Sequence, residues 1–140
     1  MPQPEMRMPR FAAGVALALL ALVGAACGDP CGQAEDRVVP MDELPCMMTN
    51  AEGGWESHPF PPISDERCYW LEFRGCSQYE IEHPLGRLPT EVLGYISFDP
   101  DGSFSTLGSG NGFVVQEVGD SSVTVRNSQN QLFYLRLALD

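Results

Sequence analysis

Cysteine is the residue type in this chain with the widest range of chemistry, and it occurs five times, at Cys27, Cys31, Cys46, Cys68 and Cys76. Thiols form disulfides in an oxidising compartment, and thiolates bind zinc. The Cys27-x3-Cys31 spacing is typical of zinc ligands, but Cys68-x7-Cys76 does not supply the closely spaced second pair of a zinc site. We therefore expect no metal site. Disulfide pairing of an odd number of cysteines leaves one thiol that needs another role.

His58 and His83 are the two histidines, and each stands directly before a proline. No metal-ligand spacing joins either imidazole to an aspartate or a glutamate. We place one of them in a loop and the other at the end of a strand.

Neighbouring carboxylates occur at Glu35-Asp36, Asp42-Glu43 and Asp65-Glu66, and a glycosidase uses two carboxylates. The chain has nineteen acidic residues, so adjacency alone says little about catalysis. The Gly108–Gly112 segment holds a serine between glycines, but a nucleophile elbow or a phosphate loop needs a following helix, and the sequence predicts a turn. We expect no catalytic residue and no cofactor.

The Asp99–Ser105 segment spaces oxygen-bearing side chains at every second position, as a calcium loop does. An EF-hand requires glycine at its sixth position and glutamate at its twelfth, where this chain has Phe104 and Gly110. A hairpin turn accounts for the same residues, because Pro100 presets one turn dihedral and Gly102 accepts a left-handed conformation. We predict the turn.

The Trp55–Pro62 segment combines aromatic residues with three prolines. It could be an exposed recognition strip, with Trp55 and Phe60 as anchors in a partner's groove. We favour the alternative, in which an irregular arm covers the open end of a core, because irregular segments must bury side chains to stay ordered.

An uncharged apolar stretch runs from Phe11 to Gly28 and follows the basic residues Arg7 and Arg10. Basic residues, an apolar run and then small residues are the layout of a secretory signal. A retained membrane span is an alternative, since about 17 apolar residues suffice to cross a bilayer. The small residues 24–26 and the lack of flanking Trp or Tyr favour cleavage, with or without lipid attachment.

The segment Val23-Gly24-Ala25-Ala26-Cys27 resembles the lipobox of bacterial lipoproteins. This resemblance covers the first twenty-eight residues. It implies a thioether-linked diacylglycerol on Cys27, cleavage before that residue, and a further acyl chain such as palmitate on the new amino group. Lipidation of Cys27 accounts for the odd thiol. In the same family Asp after the cysteine favours inner-membrane retention, so Gly28 points to the outer membrane.

Removal of residues 1–26, which carry Glu5, Arg7 and Arg10, leaves 114 residues and changes the net charge from −11 to −12. That length corresponds to one domain. The acidic charge argues against nucleic-acid partners, whose phosphates require Lys and Arg. It also argues against a polybasic attachment to anionic lipid.

Six prolines lie within residues 28–67, and they exclude central strands and long helices there. We predict a signal peptide at 1–26, then a lipidated cysteine, tether and Pro-rich irregular arm at 27–67 with a short helical turn at Met41–Leu44. From residue 68 to 140 the sequence predicts a small antiparallel meander, a sandwich or a barrel, because turns recur about every ten residues. The seven predicted strands are 69–74, 78–83, 92–98, 104–107, 113–118, 122–126 and 132–139.

A strand between Cys68 and Cys76 would hold these two residues far beyond disulfide reach. We therefore predict that Cys31 and Cys46 each pair with Cys68 or Cys76, which leaves two connectivities open. Such disulfides would fix the arm across the first hairpin.

Together these features predict a lipid-anchored, all-β lipoprotein of the bacterial cell envelope. We expect a non-catalytic binding or structural module that contacts the membrane through its lipid and a protein or glycan of the envelope through its loops. The alternative is a small envelope hydrolase that uses carboxylates.

Overall fold

The computed structural model describes residues 30–140, so Cys27 and the whole apolar stretch lie outside the described residues. The described chain is all-β. Its ten strands are β1 (Glu35–Val39), β2 (Met48–Thr49), β3 (Trp55–Glu56), β4 (Leu71–Phe73), β5 (Ser77–Glu82), β6 (Val92–Ser97), β7 (Thr106–Leu107), β8 (Val114–Val118), β9 (Ser122–Asn127) and β10 (Phe133–Leu139). Short 3-10 helices lie at Met41–Glu43, Glu66–Cys68 and Gly110–Gly112. Between residues 30 and 140, no helix has the length and apolar character to cross a membrane.

The strands form two sheets. The first has the order β1-β5-β9-β8, and the second has the order β2-β3-β10-β6-β7, with β4 also paired to β10. Strand β10 pairs with β6 along one side, and on its other side β4 and β3 lie end to end. The six-stranded sheet is thus organised around the strand that comes last in the described chain.

Alternation of side chains places both sheets around one core. On β10, Leu135, Leu137 and Leu139 are buried, and on β9 Val123 and Val125 are buried. These residues belong to one apolar cluster that also includes Val39, Leu44 and Trp55 from the Pro-rich segment. Burial of this surface away from water is the main force that holds the two sheets together.

All seven strands predicted after residue 68 are present, with ends that differ by a few residues. The pairing differs from a meander, because only β2–β3, β6–β7 and β8–β9 join strands adjacent in sequence, and β1 pairs with β5 in parallel. The Pro-rich segment is also less irregular than predicted, since it supplies β1, β2 and β3. Proline is compatible with this role because these strands lie between the prolines and two of them are sheet edges. The helical turn predicted at Met41–Leu44 appears as the first 3-10 helix.

Two disulfides join Cys31 to Cys76 and Cys46 to Cys68. The predicted cross-pairing is confirmed, and the structure selects one of the two open connectivities. The reason is the one given by strand geometry: β4 separates Cys68 from Cys76, and each thiol finds its partner in the preceding segment.

The antiparallel pairings give the sandwich two distinct ends. At the first, which we call the entry pole, the described chain begins and the turns 74–76, 98–105 and 128–132 meet. Three contacts bring these segments together there: the Cys31–Cys76 disulfide, a bond from the Cys76 amide to the Gln129 carbonyl at 2.9 Å, and the ring contact of Phe98 with Phe133 at 5.4 Å. At the opposite end, the far pole, β5 and β10 finish and β6 and β9 start.

Candidate binding cleft toward the far pole

A cleft of about 230 Å³ opens on the outer face of the six-stranded sheet, where β3, β10 and β6 lie side by side, and extends toward the far pole. Its lining combines aromatic rings, one guanidinium and several carboxylates. The residues used below are Phe60, Tyr95, Arg136, Glu52, Glu56, Glu91 and Asp140.

Phe60 provides the accessible apolar surface of the cleft. Its side chain is 48% exposed, and its ring meets the Tyr95 ring edge-on at 5.0 Å between centroids. Trp70 contacts the same ring at 6.3 Å. An aromatic ring held by other rings yet half open to solvent can stack on a ligand with little loss of side-chain freedom.

Arg136 lies beneath Phe60. The pairing of Arg136 with Tyr95 puts both residues on the outer face of the sheet, yet Arg136 is only 1% exposed. Its guanidinium carbon is 3.7 Å from the centroid of the Phe60 ring, which is cation–π geometry. Its Nε donates to the carbonyl of His58 at 2.8 Å, and its terminal nitrogen forms an ion pair with Glu56. The buried charge is therefore both paired and hydrogen-bonded.

A serine and a histidine meet next to this arginine. Ser57 Oγ is 2.9 Å from His58 Nδ1, and both side chains are 3% exposed. Burial, and to a smaller extent the positive charge of Arg136, lowers the pKa of His58 to about 4. The imidazole is therefore neutral at pH 7, as a general base would be.

The hydroxyl of Ser57 has a structural partner in this arrangement. It accepts a hydrogen bond from the Leu137 amide at 2.8 Å, and the Ser57 amide donates to the Leu137 carbonyl at 2.9 Å. These two bonds satisfy the backbone amide and carbonyl of Leu137, which lies between the β10 residues that pair with β3 and those that pair with β4. Ser57 thus acts as a backbone partner of β10 in the protein interior, and His58 contacts its hydroxyl.

Trp70 holds the segment that carries Phe60 in place. Its indole nitrogen donates to the carbonyl of Pro59 at 2.9 Å, and its own amide donates to the carbonyl of Pro100 at 2.8 Å. The Trp70 side chain is 2% exposed. The Pro-rich segment is therefore fixed over the sheet by a tryptophan that the turn 98–105 also contacts.

Comparison with protein-family models, with curated proteins and with solved structures gives no match for this chain. The assignment of a function therefore depends on the geometry of the cleft and on the sequence.

The structure separates the two aromatic residues that the sequence offered as partner anchors. Phe60 lies in the cleft, whereas Trp55 is 1% exposed and belongs to the core cluster. Trp55 faces the interior because it pairs with Leu139, whose side chain is also buried. The segment therefore lies along the outer face of the sheet, with Trp55 in the core, and its exposed aromatic surface comes from Phe60.

The structure also shows where the other residues singled out in the sequence lie. His58 follows β3 by two residues and His83 follows β5 directly, and both are buried. The turn predicted at Asp99–Gly102 is present, with the Gly102 amide 3.0 Å from the Asp99 carbonyl. The adjacent carboxylate pairs do not line the cleft. Within residues 30–140, no group of three or more His, Cys, Asp or Glu could hold a metal ion.

Sequence reasoning missed Arg136 and the carboxylates of the cleft. Arg136 stands in the alternating run Leu135-Arg136-Leu137, which is typical of a strand with one face in water. Nothing local to β10 indicates that a segment almost eighty residues earlier covers that face. Glu52, Glu91 and Asp140 come from three separate turns or strand ends, so only the pairing of β3, β10 and β6 brings them to one cleft.

The cleft has a negative rim. Four carboxylates, Glu52, Glu56, Glu91 and Asp140, line it together with one cation, Arg136, which is already paired with Glu56. Arg87 approaches Asp140 at 4.0 Å from outside. The arrangement offers a ligand an aromatic surface surrounded by hydrogen-bond acceptors.

Proposed function

We propose that this protein is a lipoprotein of the bacterial cell envelope, anchored through lipid on Cys27 in the outer membrane, that binds another envelope component without catalysing a reaction. The partner is a protein or a glycan. The observation that carries the binding role is Phe60, an aromatic ring fixed on three sides, half exposed, and bordered by carboxylates. Rigid aromatic residues beside polar groups are the usual energetic centre of a recognition surface.

The disulfides support the anchor. Cys31, Cys46, Cys68 and Cys76 are consumed in two bonds, so Cys27 is the one thiol of the chain left for modification. It is also the residue at the end of the apolar stretch and of the lipobox-like segment.

The position of the Ser57–His58 pair supports a role without catalysis. A nucleophile must reach its substrate, and its proton must have an acceptor in a productive geometry. Here the hydroxyl already bonds the backbone of β10, and both side chains are buried.

Intact mass spectrometry of protein extracted from membranes tests the anchor. We expect a chain that begins at Cys27 and carries the mass of a diacylglycerol and an acyl chain. The Cys27→Ala variant should leave the membrane fraction or remain uncleaved. An unmodified chain that begins at residue 28 or later would contradict the anchor.

Capture of partners from detergent-solubilised envelope tests the binding role. We expect Phe60→Ala to reduce capture by at least about tenfold, since loss of an aromatic anchor commonly costs about 2 kcal/mol or more of binding energy and about 1.4 kcal/mol is a factor of ten. Val38→Ala is the control, because Val38 is a 56% exposed apolar residue on β1 of the four-stranded sheet, away from the cleft. Equal capture by both variants would place the binding surface elsewhere.

A hydrolase that uses carboxylates is the alternative, and the four carboxylates of the cleft are the observation that favours it. A screen with general hydrolase substrates distinguishes the two functions. Turnover that is abolished by Glu52→Gln or Glu91→Gln alone would replace the binding proposal with an enzyme.

A further inference from the structure

Two phenylalanines and a leucine at the entry pole are turned toward solvent. Phe104 is 95% exposed, Phe98 is 71% exposed and Leu132 is 40% exposed. Phe98 and Phe104 belong to the connection between β6 and β7, and Phe98 contacts Phe133, the residue next to Leu132. Several large apolar side chains exposed at the same end of a fold favour contact with an apolar partner.

Phe104 also occupies a costly backbone conformation. Its φ is +55°, in the left-handed region that bulky residues rarely adopt. A conformation of this kind costs on the order of 1 kcal/mol and persists only where the surrounding structure enforces it. The chain therefore accepts backbone strain at a residue whose ring gains no burial in the described protein.

The connection that carries these rings is firmly held. Ser97 Oγ donates to the Ser103 carbonyl at 2.6 Å and accepts from the Asp99 amide at 3.0 Å. The Asp101 carboxylate accepts from the Ser103 amide at 2.9 Å. Gly102 packs against the Trp70 indole so closely that a Cβ there would lie 2.5 Å from a ring carbon. The phenylalanines are thus displayed by a fixed turn.

The chain enters the fold at the same pole. Cys31 is bonded to Cys76, and only three residues separate Cys31 from Cys27. The four steps from Cys27 to Cys31 span at most about 14 Å even when the chain is fully extended. A lipid on Cys27 would therefore hold the entry pole at the surface of the bilayer, and Phe98, Phe104 and Leu132 lie at that pole.

We propose that the entry pole is a membrane-docking surface, in which Phe98, Phe104 and Leu132 insert into the interfacial region of the bilayer that carries the anchor. This inference rests on the proposed lipid anchor at Cys27. Aromatic side chains settle at the membrane interface, and burial of apolar area adds to the affinity of a single lipid anchor.

The charges of the turn indicate which kind of lipid headgroup the docking surface favours. Asp99 and Asp101 flank the exposed rings, and the pKa of Asp101 lies below its usual range because the Ser103 amide donates to the carboxylate. Carboxylates at this turn disfavour contact with anionic headgroups. The docking surface is therefore suited to zwitterionic lipid, and the contact is made by apolar area.

Docking also fixes the orientation of the molecule. The entry pole would face the bilayer, so the cleft with Phe60, which extends toward the far pole, would face away from it. A partner in the envelope could then reach the cleft while the protein stays anchored.

Depth-dependent fluorescence quenching tests the proposal. The full chain with Phe104→Trp is extracted from membranes and reconstituted in zwitterionic phosphatidylcholine vesicles with brominated acyl chains. The control is Leu88→Trp, a 62% exposed position in the connection between β5 and β6 at the far pole. The native tryptophans are 1% and 2% exposed and give both variants the same background. Phe98→Trp is made in parallel, in case the first variant does not fold.

We expect bromine quenching at least about twofold stronger in the Phe104→Trp protein than in the Leu88→Trp protein, since aromatic rings at a docking surface lie at headgroup depth. Equal quenching in a folded protein overturns the proposal, as does loss of quenching together with dimer formation, which would mean that a second copy covers the rings.

Intact mass is recorded on the same samples. Lipidated protein with equal quenching leaves the anchor in place and overturns only the docking surface. Protein without lipid overturns the anchor, and its quenching ratio then decides the docking surface separately.

Discussion

At the scale of single residues, the side chains around Arg136 combine burial with charge. The guanidinium is held by the Glu56 carboxylate, the His58 carbonyl and the Phe60 ring, and it lies close enough to His58 to disfavour a second positive charge. Phe60 thus lies on a buried ion pair, and the pKa of the neighbouring His58 is lowered by burial and by the charge of Arg136.

We predict that stability falls as the pH falls from about 6.5 to about 4. The pKa of His58 is about 4 in the folded protein, whereas the ordinary pKa of histidine is 6.5. Between these pH values the unfolded chain therefore binds a proton that the folded chain does not bind. The difference corresponds to roughly 3 kcal/mol. Burial lowers the pKa of His83 in the same direction. Urea unfolding at several pH values measures the free energy of unfolding.

The His58→Gln variant separates the two histidines. Its unfolding free energy should depend less steeply on pH between 6.5 and 4, because glutamine takes up no proton in either state. An unchanged slope would show that His58 contributes nothing to the acid sensitivity.

At the scale of strands and turns, close packing of β6 against the core depends on the absence of a side chain at Gly94. The Phe113 ring lies directly over this residue, and a Cβ there would be 2.3 Å from the ring. Gly94 pairs with Leu137 of β10, so the ring fills the space that the glycine leaves on the inner face of the sheet.

We predict that Gly94→Ala lowers the free energy of unfolding by about 1–3 kcal/mol, because the added methyl group forces the Phe113 ring out of its packed position. Gly112→Ala is the control, since a Cβ there would meet its nearest neighbour at an ordinary contact of 3.4 Å. Urea unfolding of both variants gives the comparison. A Gly94→Ala protein as stable as Gly112→Ala would mean that the ring relaxes at no cost.

Local sequence signals were sufficient to locate the strands after residue 68, but they did not predict the order of the strands within each sheet. Alternation and turn residues act over a few positions, so they locate a strand such as Ser77–Glu82 well. The pairing of β1 with β5, and of β3 with β10, depends on contacts across forty to eighty residues. The candidate cleft depends on those same pairings, so no local signal in β10 indicates that Arg136 lines it.

At the scale of the whole molecule, the two disulfides connect the early segment to the rest of the sandwich. Cys31–Cys76 spans 45 residues and holds the chain entry against the turn before β5, while Cys46–Cys68 spans 22 residues. Between them they restrict the segment that carries β1, β2 and β3. Each of these strands is short or lies at a sheet edge, so the sheets alone hold them weakly.

We predict that Cys31→Ser/Cys76→Ser lowers the free energy of unfolding by about 4 kcal/mol and that Cys46→Ser/Cys68→Ser lowers it by about 3 kcal/mol, since the longer loop gains more freedom in the unfolded chain. Urea unfolding of the two double variants measures both values. A larger loss from the shorter loop would mean that native contacts, and not chain entropy, account for the stabilisation.

The central place of β10 has a consequence for the timing of folding. Strands β3, β4 and β6 all pair with residues 133–139, which are synthesised after every one of them. The six-stranded sheet therefore cannot close while residue 139 is still on the ribosome. Until the end of β10 arrives, β3, β4 and β6 lack the strand that they pair with, and their edges stay open.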